Sequence, residues 1–214
     1  MSTTSDKGLG GRRAQAARND EVILTAARAV FLDDPKAPIS AVAERAGVGI
    51  SALYRRYAGK EDLLRQLCHD GLRRYVAEAE AALSESDAWS AFTGFLARVV
   101  DADVHSLTVH LAGTFTPTEE MGRDAMRAGE LATALVDRAH ASGRLRPDVV
   151  VPDLGLLLEA CAAVRVPDPE RTRQLRRRQL AILLAGLSAV PDADPLPGPP
   201  PAVGEFDWRW RRRE

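Results

Sequence analysis

Cysteine is scarce in this 214-residue chain: only Cys68 and Cys161 occur, far apart and each in an apolar stretch. Two such residues make no disulfide framework, and free buried thiols in a reducing cytoplasm are the expectation. No window approaches the roughly 18 uninterrupted apolar residues of a membrane helix. The opening MSTTSDKGLGGRR has no apolar signal core, so no membrane partner is expected and the location expected is cytoplasmic. Lysine is nearly absent: Lys7, Lys36 and Lys60 are the three among 29 basic residues, a bias read as genomic composition. No stretch alternates with a strand period over a useful length, which predicts an all-α fold. The chain also lacks a glycine-rich phosphate loop and a nucleophile at motif spacing from a base. His69, His105, His110 and His140 are scattered. Asp101, Asp103 and His105 are the nearest approach to a metal set, but on one continuous helix Asp103 points away from the other two. No catalytic residue, metal or cofactor is expected, and the chain is read as not an enzyme.

The formal net charge is −1, yet it is unevenly spread: residues 1–76 carry 13 basic and 9 acidic side chains, residues 77–190 carry 12 and 16. A positive N-terminal third on a negative body suits one end meeting phosphate.

The most informative stretch is ISAVAERAGVGISALYRRYAGKEDLL, residues 39–64. Ile39, Val42, Ala43 and Ala46 recur at i, i+3, i+4 and i+7, the apolar face of a short helix. Gly47 supplies a left-handed C-cap. Leu53 and Tyr57 seat a second helix by its inner face, while Ser51, Tyr54, Arg55 and Arg56 lie on its outer face, with Lys60 just beyond. A glycine-turned helix pair whose second helix is polar and basic has the dimensions of a major-groove reader, so double-stranded DNA is the expected partner.

AVAERAGVGISALYRRYAGKEDLL resembles the DNA-binding signature of the TetR family of transcriptional regulators. The likeness covers about residues 18–66, including a preceding helix over Asp20 to Leu32 with Ala26, Ala27 and Phe31 inside. The chain departs from the family pattern at Pro38, Gly49 and Ala52, where Ser or Thr is usual, so individual backbone contacts differ. The resemblance implies that Tyr54, Tyr57 and Lys60 hold the DNA backbone and that Arg56 takes the place of a phosphate-contacting histidine. Ile50, Ser51 and Arg55 are the candidates for base edges, Arg55 for a guanine. Tyr57 has a second reading as core, and Arg12 and Arg13 have two readings, minor-groove contact or disorder.

Beyond residue 60 the chain reads as successive helices: Lys60 to about Leu83, one containing Trp89 to Val99, one opened by a capping box at Thr116-Pro117-Thr118-Glu119, one from Pro152 and one from Asp168 to about Ala189. The organisation expected is a flexible arm (1–17), a helix-turn-helix domain (18–60), a larger helical ligand-binding and dimerisation domain (61–190) and a Pro-rich disordered tail (191–214). The last two helices, with Leu154, Leu157, Leu158 and Cys161 on one and Leu180, Ile182, Leu183, Ala185 and Leu187 on the other, are too apolar for exposed helices and predict a homodimer interface, the alternative being that both pack inside a monomer. The arginine run 171–178 is read as a solvated face or interface rim. The resemblance implies that Trp89, Phe92, Phe95, His105, Phe115 and Met126, together with Met121 and His110, line a cavity that takes an unidentified small-molecule effector; the other reading of each is ordinary core. The whole reading is a repressor released from a palindromic operator by its ligand. The alternative is a helix-turn-helix DNA-binding or adaptor protein without one.

Overall fold

The structure is a computed structural model that describes residues 6–111, 113–202 and 204–206, with side chains from residue 20 onward except 108–110. Among the described residues all regular elements are helices: α1 (Asp6–Asp33), α2 (Ile39–Ala46), α3 (Ile50–Tyr54), α4 (Lys60–Leu83), α5 (Ala88–Asp101), α6 (Val104–Leu111), α7 (Glu119–Ala141), α8 (Val151–Ala163) and α9 (Pro169–Leu187). The chain divides into two compact units, with the boundary after Leu67, inside α4. None of the helices is long and apolar enough to cross a membrane, among the described residues.

In the first unit α1 packs along α2. Ile23, Ala26, Ala27, Val30 and Phe31 of α1 meet Ile39, Val42 and Ala43 of α2, and Leu53, Leu63 and Leu64 close the core. The helix before the motif is longer than Asp20 to Leu32, because Ala14-Gln15-Ala16-Ala17-Arg18 has high helix propensity and continues it toward the N-terminus. The side chains of Arg12 and Arg13 lie outside the described residues.

The second unit is a helical body around Phe92, Phe95, Leu96 and Val99 of α5, Leu131, Leu135 and Val136 of α7, and Leu154, Leu158 and Cys161 of α8. Its helix starts follow capping chemistry. The Asp87 side chain accepts from the Ser90 amide at 2.7 Å, and Asp168 accepts from Glu170 at 2.9 Å, each meeting an otherwise unpaired first-turn N–H. The cap of α7 is Thr118, which accepts from the Met121 amide at 3.2 Å, two residues later than Thr116. Starting there places Glu119 and Glu120 in the first turn, on the favourable end of the helix dipole.

Two parts of the body differ from the expected pattern. The helix of residues 88–111 is broken, because Asp103 takes a left-handed φ of 52°. Asp101, Asp103 and His105 therefore do not share one helix. The arginine run is also divided. Arg177 donates to both Asp101 oxygens at 2.6 and 3.0 Å on the surface, whereas Arg176 is buried against Asp103.

The proline-rich tail, as far as it is described, is extended and tethered. Arg146 donates to both oxygens of Asp148 at 3.0 and 2.9 Å and to the Asp194 carbonyl at 2.7 Å. Asp148 Oδ2, one of the two oxygens on Arg146, also accepts from the Leu196 amide at 2.8 Å. The Arg146 guanidinium and the Leu196 N–H hold the Asp148 carboxyl well below the usual carboxylate range. A depressed carboxyl stabilises fully above its ordinary value of 3.8 and loses that contribution as pH falls from there. The tether should thus be intact from neutrality down past pH 3.8, where the folded carboxyl is still ionised. Asp148→Ala should speed thermolysin cleavage between residues 189 and 198 with helix content unchanged. Equal cleavage of variant and native chain would show that the clamp does not hold the tail.

Candidate nucleic-acid interface

The turn between α2 and α3 is set by Gly47, whose φ is 66°. Its amide donates to the Glu44 carbonyl at 3.1 Å, and the Val48 amide to Ala43 at 3.0 Å, so the last carbonyls of α2 are met within two residues. Gly49 then stands as the extended N-cap of α3, and neither it nor Pro38 at the start of α2 makes a side-chain cap. The Ala52 amide finds the Gly49 carbonyl at 2.8 Å instead.

α3 is short, and its two faces are sharply different. Leu53 is fully buried and Tyr57, just past its end, is 7% exposed. Ile50, Ser51, Tyr54 and Arg55 are exposed. At helical spacing, 50 pairs with 54 and 51 with 55 on one side. That surface offers a methyl-rich side chain, a hydroxyl, a phenol and a guanidinium within two turns.

The remaining candidates do not belong to it. Tyr57 is buried in the core of the first unit. Arg56 is exposed but its guanidinium pairs with Asp20 Oδ2 of α1, and the other Asp20 oxygen is buried without a hydrogen-bond partner. Lys60 turns inward, where its ammonium donates to the carbonyls of Pro35 at 2.8 Å and Ala37 at 2.7 Å. It also lies 5.2 Å from the centroid of the Phe31 ring. Burial lowers the Lys60 pKa, and Asp34 opposes that by its charge. These three side chains brace the helix pair from behind. Sequence spacing could place them near the motif, but it could not show that a carbonyl pair and an aspartate from other segments would claim their charges.

The candidates in the body are also sorted by the structure. Phe92, Phe95 and Phe115 are fully packed core. Trp89 is half-buried, its ring stacked on Phe92 at 5.8 Å with Arg144 above it. Met126 is 66% exposed and Met121 is buried, because their positions on α7 put them on different sides of the helix. The His110 side chain lies outside the described residues. His105 lines a small pocket, of about 10 Å³, with Asp103, Ser106, Cys161 and Arg176. On the last two helices Leu154, Leu157, Leu158, Cys161 and Leu180 are buried within the chain's own core. The large apolar residues left outward on these two helices are Leu156 on α8 and Ile182 on α9.

With this geometry established, comparison with known proteins is informative. Residues 23–67 match the family model described as bacterial regulatory proteins, tetR family. Residues 86–189 match the C-terminal domain of SbtR-like transcriptional regulators. The fold is similar to that of a TetR regulatory protein from Mycobacterium vanbaalenii (25% identity, 83% of this chain and 99% of that one, TM-score 0.55). It is also similar to a gamma-butyrolactone receptor described as ArpA-like (21%, 82% and 91%, TM-score 0.62). A third similar structure is LfrR from Mycobacterium smegmatis in complex with proflavine (24%, 82% and 99%, TM-score 0.55). Among curated proteins none matches.

Substitutions separate the conformational roles of the two glycines. Gly47→Ala should cost about 1–2 kcal/mol, because a Cβ is disfavoured in the left-handed region. Gly49→Ser should gain a few tenths, roughly, by adding a side-chain cap. Lys60→Met should lose about 2 kcal/mol with its two charge-assisted hydrogen bonds. Urea unfolding of the full chain measures all three; a neutral Lys60→Met would show the ammonium is not a brace.

Proposed function

Because the chain belongs to the TetR family of transcriptional regulators, with a helix-turn-helix DNA-binding domain ahead of a helical body, we propose that it is a repressor that reads a palindromic operator as a homodimer and is released by a small-molecule effector. The observation that carries the reading is the outer surface of α3. Ile50, Ser51, Tyr54 and Arg55 are free of the core and Leu53 and Tyr57 anchor the helix behind them. Phosphate contacts position such a protein and base contacts specify its sequence. Tyr54 serves the backbone. Arg55 pairs with a guanine edge, the commonest specific contact of a guanidinium in the major groove. Ile50 and Ser51 flank it, Ile50 suited to a thymine methyl. Arg56, Tyr57 and Lys60 act indirectly, by fixing the angle at which α3 is presented.

A helix-turn-helix head needs a second head for a palindromic site. The outward residues of the last two helices, Leu156 and Ile182 with Ala160, Ala181 and Ala185 around them, suit a two-fold contact. A cytoplasmic location follows from a duplex-DNA partner. The effector is supported by kinship of fold: one similar protein is a gamma-butyrolactone receptor and another was crystallised with proflavine. α4 is continuous through the boundary between the units. A displacement of its body end therefore reaches the head, and two heads that shift no longer match half-sites one helical turn apart.

The test is binding of the purified chain to duplex DNA from beside its own gene against a scrambled duplex, at several salt concentrations. The native duplex should win, with affinity falling as salt rises. Arg55→Ala should weaken it by about tenfold or more while leaving unfolding unchanged, whereas Arg56→Ala should lower stability by leaving Asp20 unpaired. Equal binding to both duplexes would sink the operator reading, and an Arg55→Ala protein with native affinity would remove Arg55 from the base contacts.

A further inference from the structure

A groove with about 700 Å³ of open space runs between α7 and α8. Its floor is Gly129 and Thr133 of α7 and Val151, Pro152 and Gly155 of α8. The Thr133 hydroxyl donates to the Gly129 carbonyl at 2.9 Å, so this polar group is satisfied within α7. Glycine in mid-helix weakens a helix, because it loses more backbone freedom on folding and adds no side chain to the packing. Packing within the described body does not require either glycine: a Cβ built on Gly129 or Gly155 meets nothing within 4 Å. Their missing side chains leave a low floor on the outside of two neighbouring helices.

The chain's own tail reaches this groove. Arg146 and Asp148 hold the backbone of Asp194 and Leu196, and a reverse turn follows over residues 202–205. Glu205 closes the turn twice. Its amide donates to the Ala202 carbonyl at 3.1 Å, and its carboxylate accepts from the Ala202 amide at 2.8 Å. Gly204 stands in the turn at a left-handed φ of 76°, a position that favours glycine. The turn brings Phe206, half-buried, to the wall of the groove. The open space lies beside that ring.

After Phe206 the sequence reads DWRWRRRE, residues 207–214. Phe206, Trp208 and Trp210 are two apart, so an extended chain puts their rings on one side and Asp207, Arg209 and Arg211 on the other. At about 3.3 Å per residue, Trp210 can reach about 13 Å beyond Phe206. Apolar surface continues that way: Met126, three residues before Gly129 on the same side of α7, is 66% exposed. A thioether suits an aromatic partner. Charge favours the same seat. Residues 207–214 carry four arginines against Asp207 and Glu214, while Glu130 and Asp137 are exposed on α7 beside the floor. Glu130 meets Arg127 only at 3.4 Å. We propose that Trp208 and Trp210 dock in the α7–α8 groove of their own chain, with the arginines outward along Glu130 and Asp137. The C-terminal segment is then part of the body and not a free basic arm.

The experiment uses the full chain with Trp89→Phe, which leaves Trp208 and Trp210 as its tryptophans, and a peptide of residues 203–214 as the undocked reference. Acrylamide should quench the chain's fluorescence about threefold less than the peptide's, because docked rings are shielded from solvent. Gly129→Gln and Gly155→Gln each place a long polar side chain on the floor, where a Cβ has room, and replace glycine by a better helix former. Each should keep the helix content and raise quenching to the peptide's value. The unsubstituted chain gives a second reading that does not depend on Trp89→Phe. Trypsin should cleave after Arg209 and Arg211 about tenfold more slowly than in the peptide, and at the peptide's rate once either glycine is replaced. Quenching and cleavage equal to the peptide's in the chain with both glycines would overturn the docking. Protection that survives both glycine substitutions would place the rings elsewhere and overturn the groove. Protection lost on dilution would mean that a second copy offers the seat, and protection seen only with duplex DNA would assign the tryptophans to nucleic acid; either result overturns docking within the chain.

Discussion

The carbonyls at the ends of helices have no partner within the helix, and a protein built almost wholly of helices has many of them to satisfy. At three points of this chain, carbonyls at or just past a helix end are met by cations brought from elsewhere in the sequence. Lys60 closes the carbonyls of Pro35 and Ala37 after α1. Arg138 reaches from α7 to those of Leu83 and Glu85 at 2.8 and 2.6 Å, past the end of α4. Arg176 reaches from α9 to Ala162 and Val164 at the end of α8. Each contact joins two segments that hydrophobic packing alone would leave free to slide, and each uses the planar or three-fold donor set of a cation that stays charged. The arginine bias, which composition alone presents as genomic, has structural employment.

The same interaction explains why the candidate interface is smaller than its basic residues suggest. Of the cations around the motif, Lys60 and Arg56 are engaged by carbonyls and by Asp20, and Arg55 points outward. In the proposed reading, a cation that fixes the angle of α3 contributes to recognition through geometry, and one on its outer face through contact. Both classes are needed for a short helix to be presented in a groove, since five residues and one turn provide little rigidity of their own. In the body the division recurs: Arg177 is a surface partner of Asp101, while Arg176, one residue earlier, faces the core. A helical step of 100° is enough to separate the two roles.

Much of the architecture was legible in local sequence because its causes are local. The 3.6-residue period of Ile39, Val42 and Ala43 marks α2, Gly47 its reversal, and Leu53 the inner face of α3. Asp87 and Asp168 announce helix starts by capping chemistry that involves only the next three residues. Boundaries failed where two local signals competed, as at Thr116 and Thr118, either of which could cap. The break at Asp103 had no local signature, because an aspartate takes the left-handed region when something distant receives its carboxylate. Met126 and Met121 are one turn and a residue apart, and composition alone could not say which side of α7 was covered.

The sequence by itself determined the all-helical class, the position of the helix-turn-helix, and which residues of α3 face in or out, since periodicity and capping depend on neighbours within a turn or two. The tertiary structure alone decided which charges are spent internally. Arg56 on Asp20, Lys60 on the loop carbonyls, Arg146 on Asp148 and the tail, and Arg176 on Asp103 are pairings or groupings whose outcome depends on how helices pack. Arg176 and Asp103 are separated by more than seventy residues. No short-range pattern encodes such a meeting, because it exists only once the hydrophobic faces have brought the helices together.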